Sequence, residues 1–457
     1  SLKGQVINKE SLVFAIPFPT DWDGAGGQLL VTLYMWQEAK RRAAEMGINL
    51  DEIMDDDKQS VAIYHTIGKG TRTYPAPGVE VNSKAAVNIA SNVEIDGRET
   101  NETMLESVLF ATQLLAKTRE NRLSVFWTDH FVIPSRDMAC DNTHHVEMFS
   151  INHRIPDSHY DWEREELDQY GLNVHDRQTG DVQVKEKFSW EKAKELLLDK
   201  GVIRPGETHG ISLGSHTYSR ELLRALEQEY REYLEERKGF INTDPDLWMP
   251  ITSPKEQFIA TAKTEEEKTQ KAELWDRVNR FKEEFLRNQS TQQDMRRMIG
   301  FAETGLNTWS WDFGKVIDII HNFSKMVGET EESRGMRMFY GNTEAKSFIE
   351  GELKVENSIY SNSNIKKGTI KNCIIINTEA EEINAENAII INSHVYKLEA
   401  GKGSLIYRVI HPSELDVAEN EVVATVAQPS RGMFLMRTHS ERAGDKDWKI
   451  RIPDTEN

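Results

Sequence analysis

A short glycine turn carries the clearest chemical signal in this 457-residue sequence. In the stretch GKGTRTYP, Gly68 and Gly70 are followed by Thr71 and Arg72, and Lys84 comes twelve residues after Arg72. Glycines let a ligand approach the backbone closely, and exposed backbone N–H groups attract phosphate. Two fixed cations beside such a turn can neutralise a polyphosphate. Because the spacing fits neither a P-loop nor a GxGxxG dinucleotide motif, it indicates another kind of phosphate-binding loop.

Strand-like and helix-like segments alternate around this turn. The β-rich run VAIYHTI ends at Gly68, the segment ETMLESVLFATQLLAKTRE has helical spacing, and RLSVFWTDHFVI is again strand-like, with Asp129 near its end. This order is typical of an α/β fold with a parallel or mixed sheet. Ligands of such sheets bind at the carboxyl ends of strands. The pattern therefore predicts that the glycine turn and Asp129 lie at one edge of the sheet.

Several segments resemble the signature elements of one enzyme family, the sugar-1-phosphate nucleotidylyltransferases. GKGTRTYP with the later NSK is similar to the family's GxGTRxxP motif and its following lysine, and VFWTDHF resembles the strand that ends in a metal-binding aspartate. VKEKF resembles the EKP element that contacts the sugar, GISLGSHTYSRELLRAL an Asn-Gly-Ile-Tyr-type strand and helix, and WSWDFGK the WxDxGT element. The resemblance covers roughly residues 61–410 and implies a Rossmann-like nucleotidyltransferase domain.

For the nucleotide, the resemblance implies a phosphate-binding loop and a metal. The implied loop residues are Gly68, Gly70, Thr71 and Arg72. Asp129 and Asp312 would bind Mg²⁺, a hard cation that prefers oxygen ligands. Arg72 would neutralise the β- and γ-phosphates of a nucleoside triphosphate.

For the sugar, the resemblance implies contacts with Glu186, Lys187 and Gly214. Lys84 and Lys187 would hold the α-phosphate and the sugar phosphate, which makes them catalytic residues together with Arg72. The implied reaction is an in-line attack of a sugar-1-phosphate oxygen on the α-phosphate, with pyrophosphate as the leaving group. Such chemistry depends on positioning and on charge neutralisation. The nucleobase and the sugar stay open, and glucose-1-phosphate is favoured by analogy alone.

The last third of the chain contains an internal repeat. SIYSN at 358, CIIIN at 373, AIIIN at 388 and GSLIY at 403 recur every 15 residues. A short β-rich repeat of this kind predicts a parallel β-solenoid, whose stacked rungs share one core, rather than an antiparallel sheet with chance periodicity. We therefore predict an N-terminal extension over 1–60 packed on the catalytic domain, a catalytic domain over 61–335 with a helical insertion near 253–300, and a solenoid with a tail over 336–457.

The composition restricts the partners. The 56 Lys and Arg residues face 75 Asp and Glu residues, and the resulting charge of −19 argues against nucleic-acid binding. Cys140 and Cys373 form no CxxC motif, which indicates a reducing compartment. The N-terminus lacks the pattern of a signal peptide and no 18-residue apolar run occurs, so we expect a cytoplasmic protein without membrane contact. Solenoid edges often pair between subunits, which predicts a homo-oligomer.

Three alternatives remain beside this interpretation. A catalytically inactive regulatory or assembly protein could keep the same fold for subunit contacts. Acyl transfer on the solenoid would need a catalytic histidine, for which His394 is the candidate, although a surface role is favoured. The stretch NTHHVEMFSINH offers three histidines and a glutamate, but their spacing matches no HExxH-type zinc site, so a loop of the nucleotide pocket is the favoured interpretation.

Overall fold

The computed structural model describes residues 7–56, 59–66, 70–95, 97–140, 142–175, 181–292, 294–342, 344–428 and 432–441. These residues form a mixed α/β unit followed by a β-solenoid, which confirms the predicted fold class. Among the helices of these ranges, none has both the length and the apolar character needed to cross a lipid bilayer.

Short strands and helices alternate through the α/β unit. Its described strands are β1 (Asp23–Gly26), β2 (Val61–His65), β3 (Val93–Ile95), β4 (Arg98–Thr100), β5 (Arg122–Trp127), β6 (His130–Ile133), β7 (His144–Arg154), β8 (Gly171–His175), β9 (Val182–Glu186), β10 (Thr208–Ser219), β11 (Lys238–Phe240), β12 (Arg297–Glu303) and β13 (Trp309–Asp312). Its described α-helices are α1 (Gly27–Glu45), α2 (Leu50–Ile53), α3 (Ala76–Val79), α4 (Met104–Ala111), α5 (His159–Arg164), α6 (Trp190–Ala193), α7 (Arg220–Glu229), α8 (Arg231–Glu235), α9 (Met249–Thr252), α10 (Lys255–Ile259), α11 (Glu265–Thr291), α12 (Val316–Ser324) and α13 (Glu331–Phe339).

The central sheet is mixed and has the strand order β12-β7-β10-β5-β2, with β8 and β9 attached beside β10. The pairs β2/β5 and β12/β7 are parallel, whereas β10 is antiparallel to β5, β7 and β8. Because β2 and β5 are parallel, their last residues, His65 and Trp127, lie side by side. This edge of the sheet is where a ligand is expected.

Helix α1, from the N-terminal 60 residues, covers one face of this sheet. Leu29, Leu30, Leu33 and Trp36 are almost completely buried and pack in one core with the β2 and β5 side chains. Burying each such side chain stabilises the fold by about 1.5–3 kcal/mol. The helix starts at Gly27, where an added Cβ would overlap the carbonyl oxygen of Ile241, so a side chain is excluded at that position.

The segment RLSVFWTDHFVI forms two strands rather than one. β5 ends at Trp127, and β6 leaves the central sheet to pair with β13. The Thr128 hydroxyl donates a hydrogen bond to the carbonyl of His65 at 3.0 Å, which fixes the turn between the two strands. Asp129 therefore lies in a turn at the carboxyl end of β5, rather than within a continuous strand.

The solenoid consists of β14 (Lys346–Glu350), β15 (Glu352–Ser361), β16 (Asn364–Lys371), β17 (Ile374–Ile376), β18 (Glu379–Glu386), β19 (Ile389–Ile391), β20 (His394–Ala400), β21 (Leu405–Tyr407), β22 (Ile410–Val417), β23 (Glu421–Gln428) and β24 (Gly432–His439). Ile359, Ile374 and Ile389 stack in parallel register, as the 15-residue repeat predicts, whereas the next rung is one residue longer and places Leu405, rather than Ser404, opposite Ile389. The strands form two facing sets, and β14 and β24 add antiparallel strands next to the parallel ones.

Asparagines explain why the repeat turns at fixed intervals. Asn362, Asn377 and Asn392 have φ angles of 45°, 54° and 53°, in the left-handed region that asparagine tolerates better than most residues. Their amides form a ladder, since Asn362 donates to Asn377 and Asn377 donates to Asn392, each at 2.7 Å. The repeated asparagine of the sequence is thus a turn residue.

Candidate functional site

Four of the predicted site residues meet at the carboxyl ends of β2 and β5. Arg72 lies in a short 3₁₀ turn over Thr71–Thr73, and Lys84 begins another over Lys84–Ala86. The Lys84 ammonium forms an ion pair with Asp129 Oδ2. Asp312 is the last residue of β13 and lies opposite the first residue of β6, while Phe313 N donates a 2.7 Å hydrogen bond to the Asp129 carbonyl.

Gly314 marks the point where the charged groups converge. A Cβ added at Gly314 would lie 2.8 Å from Asp312 Oδ1, 3.4 Å from Asp129 Oδ2 and 3.6 Å from Arg72 Nη2. The Gly314 amide itself donates a 2.6 Å hydrogen bond to Asp312 Oδ1, which fixes the orientation of that carboxylate. Two carboxylates and a guanidinium therefore surround a single backbone position that has no side chain.

The Asp129 carboxylate is held in its ionised form. Burial alone would raise its pKa, but the charge and hydrogen bond of Lys84, followed by the charges of His130 and Arg72, lower the pKa below its ordinary value. The side chains of Lys84 and Asp129 are 15% and 21% exposed, so both remain accessible to a ligand. The cluster offers negative oxygen ligands beside positive phosphate-binding groups.

The donor set of the two aspartates fits Mg²⁺. This ion takes carboxylate oxygens at about 2.0–2.1 Å and keeps several water ligands. Oxygens of Asp129 and Asp312 both lie within 3.4 Å of the Cβ position of Gly314, so small rotations bring them to one ion. Lys84 competes for Asp129 Oδ2, and an ion at this position would release that ammonium for an anionic substrate.

The rest of the phosphate-binding loop is partly described. Gly68 lies outside the described residues. Gly70 has a φ of +60°, and an added Cβ would lie 2.7 Å from Pro77 Cγ, so this position requires glycine. Thr71 opens the turn that carries Arg72, and Thr73 N donates a 2.9 Å hydrogen bond to the Gly70 carbonyl.

The predicted sugar residues Glu186 and Lys187 form a second group at the end of β9. Glu186 pairs with Gly171 of β8, and its Oε2 lies 3.0 Å from the position of a Cβ on Gly171. Lys187 Nζ is 3.6 Å from Glu186 Oε1, and the Lys187 side chain is 58% exposed. Burial raises the pKa of Glu186, and the charge of Lys187 opposes that rise.

Gly214 lies against the end of β5. Its φ is +69°, and an added Cβ would lie 2.9 Å from Nε1 of Trp127. The indole of Trp127 stacks on the His65 ring with centroids 4.6 Å apart. The N-terminal segment supports this stack, because the Thr32 hydroxyl donates to the Gln28 carbonyl and therefore accepts the 2.8 Å hydrogen bond from His65 Nε2. Gly214 therefore lies beside the stacked rings of His65 and Trp127, and Trp127 precedes Asp129 by two residues.

No hydrogen bond or ion pair among the described residues joins Glu186 or Lys187 directly to the four-residue cluster at Gly314. Two neighbours connect the groups. Ser212 Oγ accepts a 3.2 Å hydrogen bond from Gly214 N, and Ser212 Cβ lies 3.2 Å from the Cβ position of Gly171. Tyr170 precedes Gly171, and its pKa is raised first by burial and then by the charge of Asp312. The two groups therefore border the same region.

Asp244 is a functional candidate that the sequence analysis missed. It begins a π-helical turn over Asp244–Trp248, and its buried Oδ1 has no hydrogen-bond partner among the residues that the structure describes. Burial, followed by the charge of Glu186, raises its pKa to about 7. Nothing in the local stretch NTDPDL distinguishes Asp244 from Asp246, so only the fold reveals its proximity to Glu186.

We expect Asp244→Asn to stabilise the protein at pH 8 but not at pH 4. The folded pKa of about 7 exceeds the ordinary 3.8, so the wild-type chain loses stability as the pH rises between these values. The amide cannot ionise, so the variant should be more stable by about 1–3 kcal/mol at pH 8. Urea unfolding at both pH values measures this, with the exposed Asp199→Asn as the control. An equal difference at pH 4 and pH 8 would contradict the assignment.

Hydrogen bonds and an ion pair connect the solenoid to the loop that carries Arg72 and Lys84. Tyr407 donates a 2.6 Å hydrogen bond to Glu80 Oε1 and accepts one of 2.8 Å from Asn88 N. Arg408 forms an ion pair with the same Glu80 oxygen at 2.9 Å. Tyr74 donates to Met436 Sδ at 3.1 Å. These contacts fix the chain on both sides of Lys84, so the solenoid contributes to the geometry of the site.

The histidines of the NTHHVEMFSINH stretch and His394 lie away from the charged cluster at Gly314. His153 pairs with Glu165 at 2.8 Å, while His144 is 3.5 Å from Glu147. His145 is at the opposite end of the sheet from Asp129. The NTHHVEMFSINH stretch is therefore part of strand β7 and its preceding turn, rather than a pocket loop. His394 is a surface residue with a side chain 66% exposed, 3.2 Å from Glu379.

Comparisons with known proteins give little further guidance. No protein-family model matches the chain, and no curated protein matches it. One similar solved structure is the crystal structure of mannose-1-phosphate geranyltransferase from Thermus thermophilus, with 12% sequence identity and a TM-score of 0.32. The match covers 85% of this chain and 97% of that one. A TM-score this low supports no argument, so any functional conclusion depends on the geometry of the chain itself.

Proposed function

We propose that this chain is a nucleotidylyltransferase, which transfers a nucleoside monophosphate from a nucleoside triphosphate to a sugar-1-phosphate and releases pyrophosphate. The observation that supports it most is the convergence of Arg72, Asp129 and Asp312 around Gly314, with Lys84 paired to Asp129. These residues come from segments far apart in the sequence, and they meet at strand carboxyl ends, where α/β sheets bind their ligands. Opposed cations and carboxylates of this kind suit phosphoryl-transfer chemistry.

In this proposal the protein acts mainly by positioning and by charge neutralisation. Arg72 holds the β- and γ-phosphates, and an incoming α-phosphate gives Lys84 a second anionic partner besides Asp129. Mg²⁺ held by Asp129 and Asp312 would supply positive charge to the phosphates. Lys187 holds the sugar phosphate so that its oxygen attacks the α-phosphate in line with the departing pyrophosphate.

The sugar-binding part of the proposal depends on Glu186, Lys187 and Gly214. Glu186 accepts hydrogen bonds from sugar hydroxyls, and Gly214 leaves space beside the indole of Trp127 for a ring. Glucose-1-phosphate is the sugar we propose first, on the analogy given by the solenoid. The nucleobase is to be found by assay.

The deciding experiment measures pyrophosphate release by the purified chain with Mg²⁺. Each of ATP, UTP, GTP, CTP and dTTP is combined with a panel of sugar-1-phosphates. Release with one base and one sugar supports the proposal and names both substrates. If no pair of nucleotide and sugar-1-phosphate releases pyrophosphate, and calorimetry detects no nucleotide binding, the proposal is overturned in favour of a catalytically inactive assembly protein.

We expect Lys187→Ala to raise the KM for the sugar-1-phosphate by about 10- to 100-fold, with a smaller effect on the KM for the nucleotide. The variant loses a charge-assisted hydrogen bond to the sugar phosphate, and such a bond contributes about 1.5–3 kcal/mol. Lys194→Ala is the matched control, because its side chain is 55% exposed against 58% for Lys187 and it pairs with Asp199 outside the site. Equal KM values for both variants would remove Lys187 from the proposed site.

We also propose a homo-oligomer through the solenoid. Strand β22 lies at one end of the solenoid strand order, and its described ladder partner is β20. An edge strand of this kind offers backbone groups to a second copy. Light scattering of the purified chain measures the mass, and a monomer at high concentration would contradict this proposal.

A further inference from the structure

A cavity lies where the solenoid meets the segment that follows Lys84. Its volume is about 340 Å³, and a wider groove of about 880 Å³ continues from it along the solenoid. One water molecule takes about 30 Å³ in the liquid, whereas small-molecule sites have volumes of about 300–1,000 Å³. Both spaces are therefore large enough for a ligand. The residues that line the cavity are Asn88, Thr100, Asn101, Asn377, Asn392, Arg408 and Ile410, of which Asn377, Asn392 and Ile410 also border the groove.

Asn101 brings a buried acceptor to this cavity. Its side chain is 5% exposed, and its Nδ2 donates to the carbonyls of Ile89 at 3.2 Å and Ser91 at 2.7 Å, which fixes the orientation of the amide. The Asn101 Oδ1 atom is buried and accepts no hydrogen bond from the described part of the chain. Because a buried carbonyl oxygen without a donor is unfavourable, a ligand that donates a hydrogen bond at this point is favoured.

The asparagine ladder of the solenoid forms the wall of the groove. Asn362, Asn377 and Asn392 each donate one amide N–H to the next member, and Asn392 donates to Asn88 Oδ1 at 3.1 Å. An amide has two N–H groups and two oxygen lone pairs, so the ladder leaves polar groups of each amide for a ligand. Neighbouring strands lie about 4.7–4.9 Å apart, which is close to the rise of one pyranose unit in an extended oligosaccharide. The wall thus repeats donors and acceptors at the interval of a sugar chain.

The charges of the lining indicate an uncharged ligand. Among the described residues that line the cavity, Arg408 alone carries a full charge, and its Nε is paired with Glu80 Oε1 at 2.9 Å. Apart from one histidine, the charged residues that line the groove are Glu99, Glu379 and Lys346. Two carboxylates against one ammonium leave no excess positive charge for a phosphate. Amide and hydroxyl groups therefore dominate the recognition chemistry.

We propose that the cavity and the groove bind an uncharged oligosaccharide, whose terminal unit enters the cavity at Asn101 and whose following units lie along the asparagine ladder. A sugar hydroxyl both donates and accepts, so it satisfies Asn101 Oδ1 and pairs equally well with the ladder amides. Ile410 and the ring of Tyr360 add apolar surface for the C–H faces of the sugar rings. This site is separate from the candidate active site and does not depend on the transferase activity.

Calorimetry on the full chain tests the site with maltotriose, cellotriose, β-1,4-mannotriose and chitotriose. Asn377→Gly and Asn372→Gly form a matched pair of variants, because both asparagines are ladder residues at opposite ends of β17, with φ angles of 54° and 51° that glycine tolerates. We expect one trisaccharide to bind at one site, with an affinity lowered by at least about tenfold in Asn377→Gly and unchanged in Asn372→Gly. The two variants should have similar Tm values.

A second pair of variants blocks the site without touching a hydrogen bond. Ile410 is 55% exposed between the cavity and the groove, so Ile410→Trp should abolish binding, whereas Ile349→Trp, at a 75% exposed position on β14, should not. An excess of ATP should leave the trisaccharide bound. Absence of binding for all four trisaccharides, equal binding by Asn377→Gly and Asn372→Gly, or displacement by ATP would overturn the proposal. Tighter binding of inorganic phosphate at the site that Ile410→Trp blocks would overturn the assignment to an uncharged ligand.

Discussion

Replacing Asp129 by Asn should lower the rate of pyrophosphate release by about 10²–10³-fold while the chain stays folded. The change keeps the shape of the side chain but removes the charge that pairs with Lys84 and, in the proposed function, binds Mg²⁺. Without that charge, the ammonium of Lys84 loses the carboxylate that pairs with it in the described part of the chain. Initial-rate measurements at saturating substrate, with near-ultraviolet circular dichroism to check the fold, give the result directly.

The matched control is Asp137→Asn, because Asp137 is also paired with a lysine but is 94% exposed. Its activity should equal that of the wild type.

The pH dependence of stability separates the two variants further. The folded pKa of Asp129 is lowered, so its ionised form stabilises the folded chain above the ordinary pKa of 3.8, and this contribution is lost as the pH falls through the folded value. Asp129→Asn should lose that part of the acid dependence, and full activity in this variant would remove Asp129 from the proposed mechanism.

Short motifs predicted the charged cluster because each motif places one residue at the end of an element. The glycine turn follows β2, Asp129 follows β5, and Asp312 ends β13, so elements that pair in the fold bring these side chains together. The register of the repeat likewise predicted the solenoid, since its identical spacing recurs in the parallel ladder from Ile359 to Ile374 and Ile389. A repeat and the residues at strand ends are defined by neighbouring positions in the chain, so they can be recognised from one sequence alone.

Long-range contacts could not be predicted in this way. The role of Asp244 depends on its proximity to Glu186, which no spacing encodes. The N-terminal segment was expected to pack on the catalytic domain, but the bond from His65 to Thr32 appears only when α1 lies against β2. The sequence also does not predict that β10 runs antiparallel to its neighbours in the central sheet, because its apolar pattern is compatible with either strand direction.

The solenoid illustrates the same limit with a consequence for function. Its fold follows from the repeat, but its hydrogen bonds to the active-site loop join Tyr407 to Glu80 across 327 residues. Both groups are largely buried, and burial, followed by the charge of Glu80, raises the pKa of Tyr407. Lys84 lies between Glu80 and Asn88, the two partners of that hydroxyl. The solenoid is therefore part of the structure that positions Lys84, in addition to any role in subunit contacts.

Gly314→Ala should reduce the rate of pyrophosphate release by about 10²-fold with a nearly unchanged Tm. The new methyl group would lie 2.8 Å from Asp312 Oδ1 and 3.4 Å from Asp129 Oδ2, so at least one carboxylate must move. A displacement of about 1 Å in a reacting geometry can reduce a rate about 10²-fold. The effect should fall mainly on kcat, because the carboxylates act on the reacting phosphates and the sugar residues lie in the second group.

Gly328→Ala is a close control for this crowding, because its added Cβ would lie 2.8 Å from Ser333 Oγ, the same distance as at Gly314 but outside the proposed site. Both positions lack the positive φ that would strain any alanine, so the variants differ chiefly in which oxygen is displaced. Equal losses of activity in the two variants would indicate a general packing defect. A loss confined to Gly314→Ala, with similar Tm values for both, would show that the carboxylate geometry around this glycine limits the reaction.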